Sequence, residues 1–303
     1  MKGLRLGVLM GGLSSERDVS LRTGAAVMNA LQHKGYDPVP IDVGVNVARD
    51  LLREGVEVAF LAVHGRYGED GALQGLLEVM RIPYSGSGVL ASALAMDKVF
   101  AKHIFNGEGL PTPAHEVVRV APGATPVAPA FGFPCVVKPK GEGSSVGVSI
   151  VKSAETWTSA LAHAAQFGAD VLVEQFVKGR EICVAVLDGV ALGAIEVRPK
   201  REFYDYQAKY LSGDTEYLCP APLAPATERA VLDLGLRAHS VLGCSGASRT
   251  DLLVDEAERP WLLEVNTLPG MTATSLLPKI AAHAGIDFPE LCERLVLGAT
   301  LKS

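Results

Sequence analysis

Residues 260–275 read PWLLEVNTLPGMTATS, and the C-terminal half of the chain is organised around them. Trp261, Leu263 and Val265 alternate with Leu262, Glu264 and Asn266. A strand repeats its side-chain direction every second residue, so Glu264 and Asn266 project from one face, about 7 Å apart. A carboxylate and an amide oxygen are hard ligands, suited to Mg²⁺. A Pro269-Gly270 turn follows, then Thr272, Thr274 and Ser275, where a helix over 276–284 is predicted to begin. A helix start offers free backbone N–H groups to an anion. An edge strand with a polar face accounts for the same residues without any site, so the neighbouring segments decide.

The nearest neighbour is 248–254, Ser-Arg-Thr-Asp-Leu-Leu-Val, which puts Arg249 and Asp251 on one face. Residues 255–260 read as a turn. If Val254 pairs with Trp261 across it, Asp251 lies opposite Glu264 and Arg249 opposite Asn266. Opposed Cβ atoms in an antiparallel pair are about 5 Å apart. Two adjacent carboxylates repel unless a cation lies between them, which points to a metal.

At the N-terminus, 4–10 is an apolar run ending in Gly11-Gly12, the pattern of a buried parallel strand. Ser14 or Ser15 is placed to cap a helix with apolar positions Val19, Thr23, Ala26, Val27, Ala30 and Leu31. Strands are expected at 36–42 and 56–63, with helical sequence at 51–54 between them. Strand-helix alternation implies a parallel sheet with helices on its faces, and ligands at the carboxyl ends of its strands. Two polar loops sit there, 11–17 and 64–71. Glu16 either supports its helix dipole or faces a substrate ammonium. His64 reads as a hydrogen-bonding loop residue or a base. GxGxxG is absent after the first strand, which disfavours a dinucleotide.

Helices are expected at 72–81 and from 89 to about 106, and 112–130, rich in Pro and Ala, reads as irregular. Residues 133–138 form a strand ending in lysine. The loop Lys-Gly-Glu-Gly-Ser-Ser-Val-Gly at 140–147 leads to a returning strand at 148–151. It is no P-loop, yet three glycines and two serines suit a cover folded over phosphates. A helix is expected at 154–168, a strand at 170–173, a turn at 179–181, a hairpin of 182–187 with 190–197, and a helix at 227–242. The aromatic stretch 202–217 lacks a clean period and suits a flap.

The chain has 303 residues and a net charge of −6, which argues against general nucleic-acid binding. No apolar run reaches the length of a membrane span, and no signal-peptide pattern precedes the first strand. Five scattered cysteines without a CxxC pair disfavour a disulfide framework or a zinc site; Cys135 and Cys183 fall in strand-like runs as core thiols.

A resemblance then emerges from an ordered set of motifs: Gly-Gly-Leu-Ser-Ser-Glu-Arg-Asp-Val-Ser (11–20), His-Gly-Arg-Tyr-Gly-Glu-Asp-Gly (64–71), Tyr-Ser-Gly-Ser-Gly (84–88), Met-Asp-Lys (96–98), Val-Lys-Pro (137–139) with Gly-Ser-Ser-Val-Gly (143–147), Tyr-Asp-Tyr-Gln-Ala-Lys-Tyr (204–210) and Leu-Leu-Glu-Val-Asn-Thr-Leu-Pro-Gly-Met-Thr (262–272). Together they resemble the D-alanine–D-alanine ligases, ATP-grasp enzymes of peptidoglycan precursor synthesis, over nearly the whole chain.

The resemblance implies an α/β and α+β fold: an N-terminal doubly wound parallel-sheet domain (1–96) and a two-subdomain ATP-grasp fold (97–181 and 182–303). It implies ATP and two Mg²⁺ (or Mn²⁺) as cofactors, D-alanine as substrate, a cytoplasmic homodimer, and no nucleic-acid or membrane partner. Lys98 and Lys138 are then expected at phosphates, with Lys209 also at the nucleotide. Glu174 and the backbone of 175–177, including Gln175 and Val177, are expected at adenine, and Glu181 at the ribose. Asp251, Glu264 and Asn266 become metal ligands. Glu16, helped by His64, takes the first D-alanine's ammonium. Arg249 and the Gly270 N–H face oxyanions, and Ser275 and Leu276 the second D-alanine's carboxylate. Ser144 and Tyr210 join Glu16 in closing the flap, and the Tyr favours a dipeptide product over a depsipeptide. Another ATP-grasp carboxylate–amine ligase with a different amino-acid substrate is the alternative.

Overall fold

The computed structural model describes all residues except 122–125, 144, 200–214, 273 and 303. The N-terminal elements are β1 (Leu6–Met10), α1 (Arg17–His33), β2 (Val39–Asp42), α2 (Val47–Arg53) and β3 (Val58–Leu61). The three strands form a parallel sheet in the order β2-β1-β3. Every residue of β1 is buried, as a central parallel strand covered on both faces must be. Leu6, Val8 and Met10 pack toward α1, while Leu9 joins Ile41, Leu61 and Leu51 on the opposite face. After α3 (Ala72–Met80), Tyr84 bridges to Ala59 in parallel and to Thr300 in antiparallel sense, tying the chain's last residues to this sheet.

The long helix expected from 89 to about 106 is two helices, α4 (Val89–Met96) and α5 (Lys98–Gly107). Asp97 separates them with an extended backbone (φ −85, ψ 99), and its carboxylate accepts from the Val99 and Phe100 N–H groups at 3.0 and 3.3 Å. An Asp in this role satisfies donors that no helical carbonyl reaches.

A second sheet has the order β4-β7-β5-β6, from β4 (His115–Arg119), β5 (Cys135–Pro139), β6 (Ser149–Val151) and β7 (Asp170–Gln175), with α6 (Trp157–Ala164) packed on it. The irregular reading of 112–130 is corrected by β4. It is an edge strand with Val117 exposed, so one neighbour and a weak burial pattern left little trace in the sequence.

The third sheet runs β10-β9-β8-β11-β12, from β8 (Gly179–Leu187), β9 (Val190–Pro199), β10 (Thr215–Leu218), β11 (Ala247–Asp255) and β12 (Pro260–Asn266). Gly179, Arg180 and Glu181, read as a turn, pair with Asp255, Val254 and Leu253 as the start of β8. The glycine serves a close approach instead, because a Cβ there would lie 2.5 Å from the Val254 carbonyl oxygen. Asp188 and Gly189, both at positive φ, turn the β8–β9 hairpin as expected. Residues 215–217, assigned to the flap, are strand; the rest of that stretch to 214 lies outside the described residues.

α7 (Pro225–Val241) covers one face of the third sheet, with Ala101 and Phe105 of α5 in the same core. On the other face, α8 (Leu276–His283) and α9 (Phe288–Leu297) share one core with Leu6, Val8 and Phe60 of the first sheet. Cys135 and Cys183 are buried in β5 and β8.

The register of β11 on β12 departs from expectation at its far end. Val254 pairs with Pro260 and Leu253 with Trp261; a bulge beside Asp251 and Leu252 leaves Leu263 unpaired. Beyond it, Asp251 faces Glu264 and Arg249 faces Asn266, as expected. An extra residue shifts the alternation. Leu262 and Val265 therefore both enter the core, and Leu263 and Glu264 both face the cleft described next.

Candidate functional site

A cleft of about 490 Å³ lies between the second and third sheets and reaches the carboxyl-end loops of the first. It is lined by Glu16, His64, Lys98, Lys138, Glu174, Gln175, Val177, Glu181, Arg249, Asp251, Glu264, Asn266, Gly270, Ser275 and Leu276. Three further expected residues, Ser144, Lys209 and Tyr210, lie outside the described residues.

At the N-terminal end, Glu16 itself is the N-cap of α1, in place of the expected serine, and its side chain makes no capping bond. Ser14 instead joins the two loops: its Oγ accepts from Glu16 N at 3.2 Å and donates to the His64 carbonyl at 2.7 Å. The His64 ring is held from both sides, by Thr23 Oγ1 at 3.1 Å from Nε2 and Glu69 Oε1 at 3.5 Å from Nδ1. Glu69 Oε2 accepts from Gly65 N at 2.8 Å. The Glu16 carboxylate lies beside Gly65, where a Cβ would come within 2.8 Å of Oε2, and near Gly143 of the glycine-rich loop, where the same test gives 3.6 Å.

That loop is anchored to the start of α5. Lys98 N donates to the Lys140 carbonyl at 2.9 Å, and Lys140 Nζ lies 3.2 Å from Asp97 Oδ2. Lys98 Nζ donates to the Glu142 carbonyl at 2.7 Å and lies 3.2 Å from Glu264 Oε2. One lysine thus touches the glycine-rich loop and the polar face of β12 together.

Glu174 is 2 % exposed, with Lys138 Nζ at 2.7 Å from Oε2 and Lys102 Nζ at 2.6 Å from Oε1. Burial pushes its carboxyl up, but the two lysines outweigh burial and bring it down to about 2. Burial pulls Lys102 down, with Glu174 opposing.

On the third sheet, Arg249 grips Asp251 with two bonds, Nε to Oδ1 at 2.7 Å and Nη2 to Oδ2 at 2.8 Å. Burial works against the guanidinium charge, and Asp251 more than restores it. Asn266 Oδ1 accepts from Leu268 N at 2.9 Å. Among the described residues, no three His, Cys, Asp or Glu side chains gather as a cage. Asp251, Glu264 and Asn266 supply two carboxylates and an amide oxygen. This oxygen-only, incomplete set fits Mg²⁺, which keeps waters and shares one or two carboxylates with substrate phosphates.

After the Pro269-Gly270 turn, Thr272 N donates to Ser275 Oγ at 3.0 Å, and Ser275 N to the Thr272 carbonyl at 2.9 Å. Ser275 is the N-cap of α8 without a side-chain cap bond into the helix, and Ser275 and Leu276 line the cleft. Lys102 was not singled out from the sequence, and Glu69 and Asp97 entered only as members of the 64–71 and 96–98 motifs, with no role of their own. The Lys98–Lys102 spacing, one helical turn, was the available signal for Lys102.

A family profile described as D-ala D-ala ligase C-terminus matches residues 106–297, and one described as D-ala D-ala ligase N-terminus matches 44–87. The D-alanine–D-alanine ligase of Geobacter sulfurreducens is 56 % identical over 303 residues, covering 100 % of this chain and 96 % of the relative. That of Anaeromyxobacter sp. (strain K) is 56 % identical, covering 99 % and 98 %. Among solved structures, the D-alanine–D-alanine ligase of Bacillus anthracis complexed with ATP superposes with a TM-score of 0.85 at 36 % identity, covering 99 % of this chain and 98 % of that one.

Proposed function

This chain belongs to the D-alanine–D-alanine ligase family, and on that premise we propose that it converts ATP and two D-alanines to ADP, phosphate and D-alanyl-D-alanine for peptidoglycan precursor synthesis. The observation that carries the reading is that one cleft is lined both by Lys98, Lys138 and Glu174 and by Glu16, Ser275 and Leu276, more polar groups than a nucleotide alone needs.

The first D-alanine's carboxylate oxygen attacks the γ-phosphorus, ADP leaves, and an acyl phosphate forms. Both reactants are anionic, so repulsion dominates the barrier and positioned cations lower it. Lys98, Lys138 and Arg249 serve this purpose, while Glu16, with His64, orients the substrate ammonium. Mg²⁺ or Mn²⁺ ions at Asp251, Glu264 and Asn266 would add further neutralisation of the phosphates when bound. Glu174, Gln175 and Val177 serve the base and Glu181 the ribose. The second D-alanine, its carboxylate at Ser275 and Leu276, gives up a proton and its amine attacks the acyl carbon. That attack forms the C–N bond and a tetrahedral oxyanion, which collapses as the C–O bond to phosphate breaks. Arg249 and the Gly270 N–H stabilise the oxyanion between these events, and such donors are commonly worth about 3–4 kcal/mol each. The family resemblance assigns Lys209 to the nucleotide and Ser144 and Tyr210 to closing over Glu16; all three lie outside the described residues.

We place the working division of the chain at 1–96, 97–181 and 182–303, and the protein in the cytoplasm as a homodimer. No helix among the described residues is long and apolar enough to cross a membrane. The deciding experiment measures ADP release and product identity with D-Ala, L-Ala, D-Ser and D-lactate. D-Ala is expected to give the dipeptide; no product from D-Ala while another acid reacts would assign the cleft to a different carboxylate–amine ligation.

A further inference from the structure

Lys102 has no solvent exposure, sits one helical turn beyond Lys98 on α5, and has no part in the reaction just described. A buried ammonium is costly unless it is paired and hydrogen-bonded. Lys102 is both. Its Nζ lies 2.6 Å from Glu174 Oε1 and donates to Thr112 Oγ1 at 2.5 Å. Thr112 in turn donates to the Leu262 carbonyl of β12 at 2.8 Å.

The second oxygen of Glu174 is committed as well, to Lys138 at 2.7 Å. Oε1 lies wholly inside the protein, where the close ion contact with Lys102, rather than a well-aligned hydrogen bond, is what meets it. Lys138, by contrast, lines the cleft. A glutamate carboxylate ordinarily turns about its last bond within a broad well. Here a turn would break an ion contact where no water replaces it, so the plane is held from both ends. Lys138, held by that carboxylate, presents a cation to the cleft, which suits an anionic ligand.

We infer that Lys102 is a positioning residue for nucleotide binding: it pins Glu174 Oε1 from inside the core, so that Oε2 holds the Lys138 ammonium at the cleft wall. A tie that merely joined α5, β7 and β12 would affect folding without singling out the nucleotide. The inference rests on the nucleotide half of the proposed function and is independent of D-alanine.

The test is calorimetric binding of ADP with MgCl₂, without D-alanine, to the wild type and to Lys102→Met, Glu174→Gln and the double variant, followed by KM values for ATP and D-alanine. Lys102→Met is expected to weaken ADP binding by about ten-fold or more and to raise KM for ATP in step, with KM for D-alanine within about two-fold. The double variant removes both members of the enclosed Lys102–Glu174 pair, leaving Lys138 at the cleft wall, and keeps the question open to measurement where Lys102→Met fails to fold. It is expected to bind ADP as Glu174→Gln does, because Lys102 then has nothing left to act through. Wild-type-like ADP binding by Lys102→Met overturns the inference, as does a double variant much weaker than Glu174→Gln or an equal rise in both KM values. Should the wild type bind ADP yet form no dipeptide, the ligase reading fails and this inference stands.

Discussion

Asp251 lies directly opposite Glu264 across the β11–β12 pair, and each carboxylate is met by a cation from a different direction. Arg249, two residues away on the same strand, grips Asp251 with two bonds. Lys98, at the start of α5, lies 3.2 Å from Glu264. Opposed like charges on a sheet are unfavourable by themselves. The pair is therefore arranged for neutralisation, and the face it presents combines anionic ligands with cationic donors.

Replacing Glu264 by Gln keeps the shape of the side chain and removes half of the opposed charge. Turnover should fall by about 100-fold or more, as removal of a metal-holding carboxylate from a phosphoryl-transfer site does. Raising Mg²⁺ should restore part of it. Rates measured against Mg²⁺ concentration provide the check, and near-normal activity at low Mg²⁺ contradicts the metal assignment.

Glu174 carries a pH signature. Its carboxyl is held down from 4.5 to about 2 in the folded state. A depressed carboxyl contributes stability that is complete above its unfolded value and is lost as pH falls through the folded one. The contribution, roughly 3 kcal/mol at 1.36 kcal/mol per unit, should therefore disappear between about pH 4.5 and pH 2. Urea midpoints of the wild type and Glu174→Gln, taken every half unit, should converge across that window. A stability gap that ignores pH would show that Glu174 is not ionised in the core.

Gly65 adopts φ +71, and a Cβ there would lie 2.8 Å from Glu16 Oε2 and 2.9 Å from Ser14 Oγ. Alanine at such a φ costs about 1–2 kcal/mol in backbone strain. It also pushes Glu16 from its place in the cleft wall. Gly65→Ala should raise KM for D-alanine by about ten-fold and leave KM for ATP unchanged. Steady-state kinetics with each substrate varied separately make the comparison.

Asp97 holds two things at once, the N-terminus of α5 and Lys140 of the glycine-rich loop. Asp97→Ala should lower stability by about 1 kcal/mol through the lost cap. Asp97→Asn keeps a capping acceptor and loses only the charge facing Lys140. If the loop's anchoring serves ATP, both variants raise KM for ATP while only the alanine variant shifts the unfolding midpoint. Equal midpoints for the two would remove the cap from the account.

Local patterns in the chain were sufficient for much of this protein. Alternation in 261–266 and 248–254 marked the two site strands, and Leu4 to Met10 announced a buried parallel strand by apolar run alone. The Gly-rich loop and the ordered motifs carried the family resemblance. Where the sequence misled, a local signal had more than one physical cause. Gly179 looked like a turn but accommodates a neighbouring strand, and Asp97 interrupted what periodicity read as one helix. β4 was missed because an edge strand with one neighbour leaves a weak pattern.

What the sequence determined by itself was the identity of the chemical groups and which of them share a strand face, since backbone periodicity is a local property. Tertiary structure alone decided the bulge at Leu263, which turned two successive side chains to the cleft, and the enclosure of Lys102 between α5, β7 and β12. Both depend on contacts between segments far apart in the chain. No local pattern encodes the partner of a buried charge, because the partner's position follows only from how the sheets and helices pack.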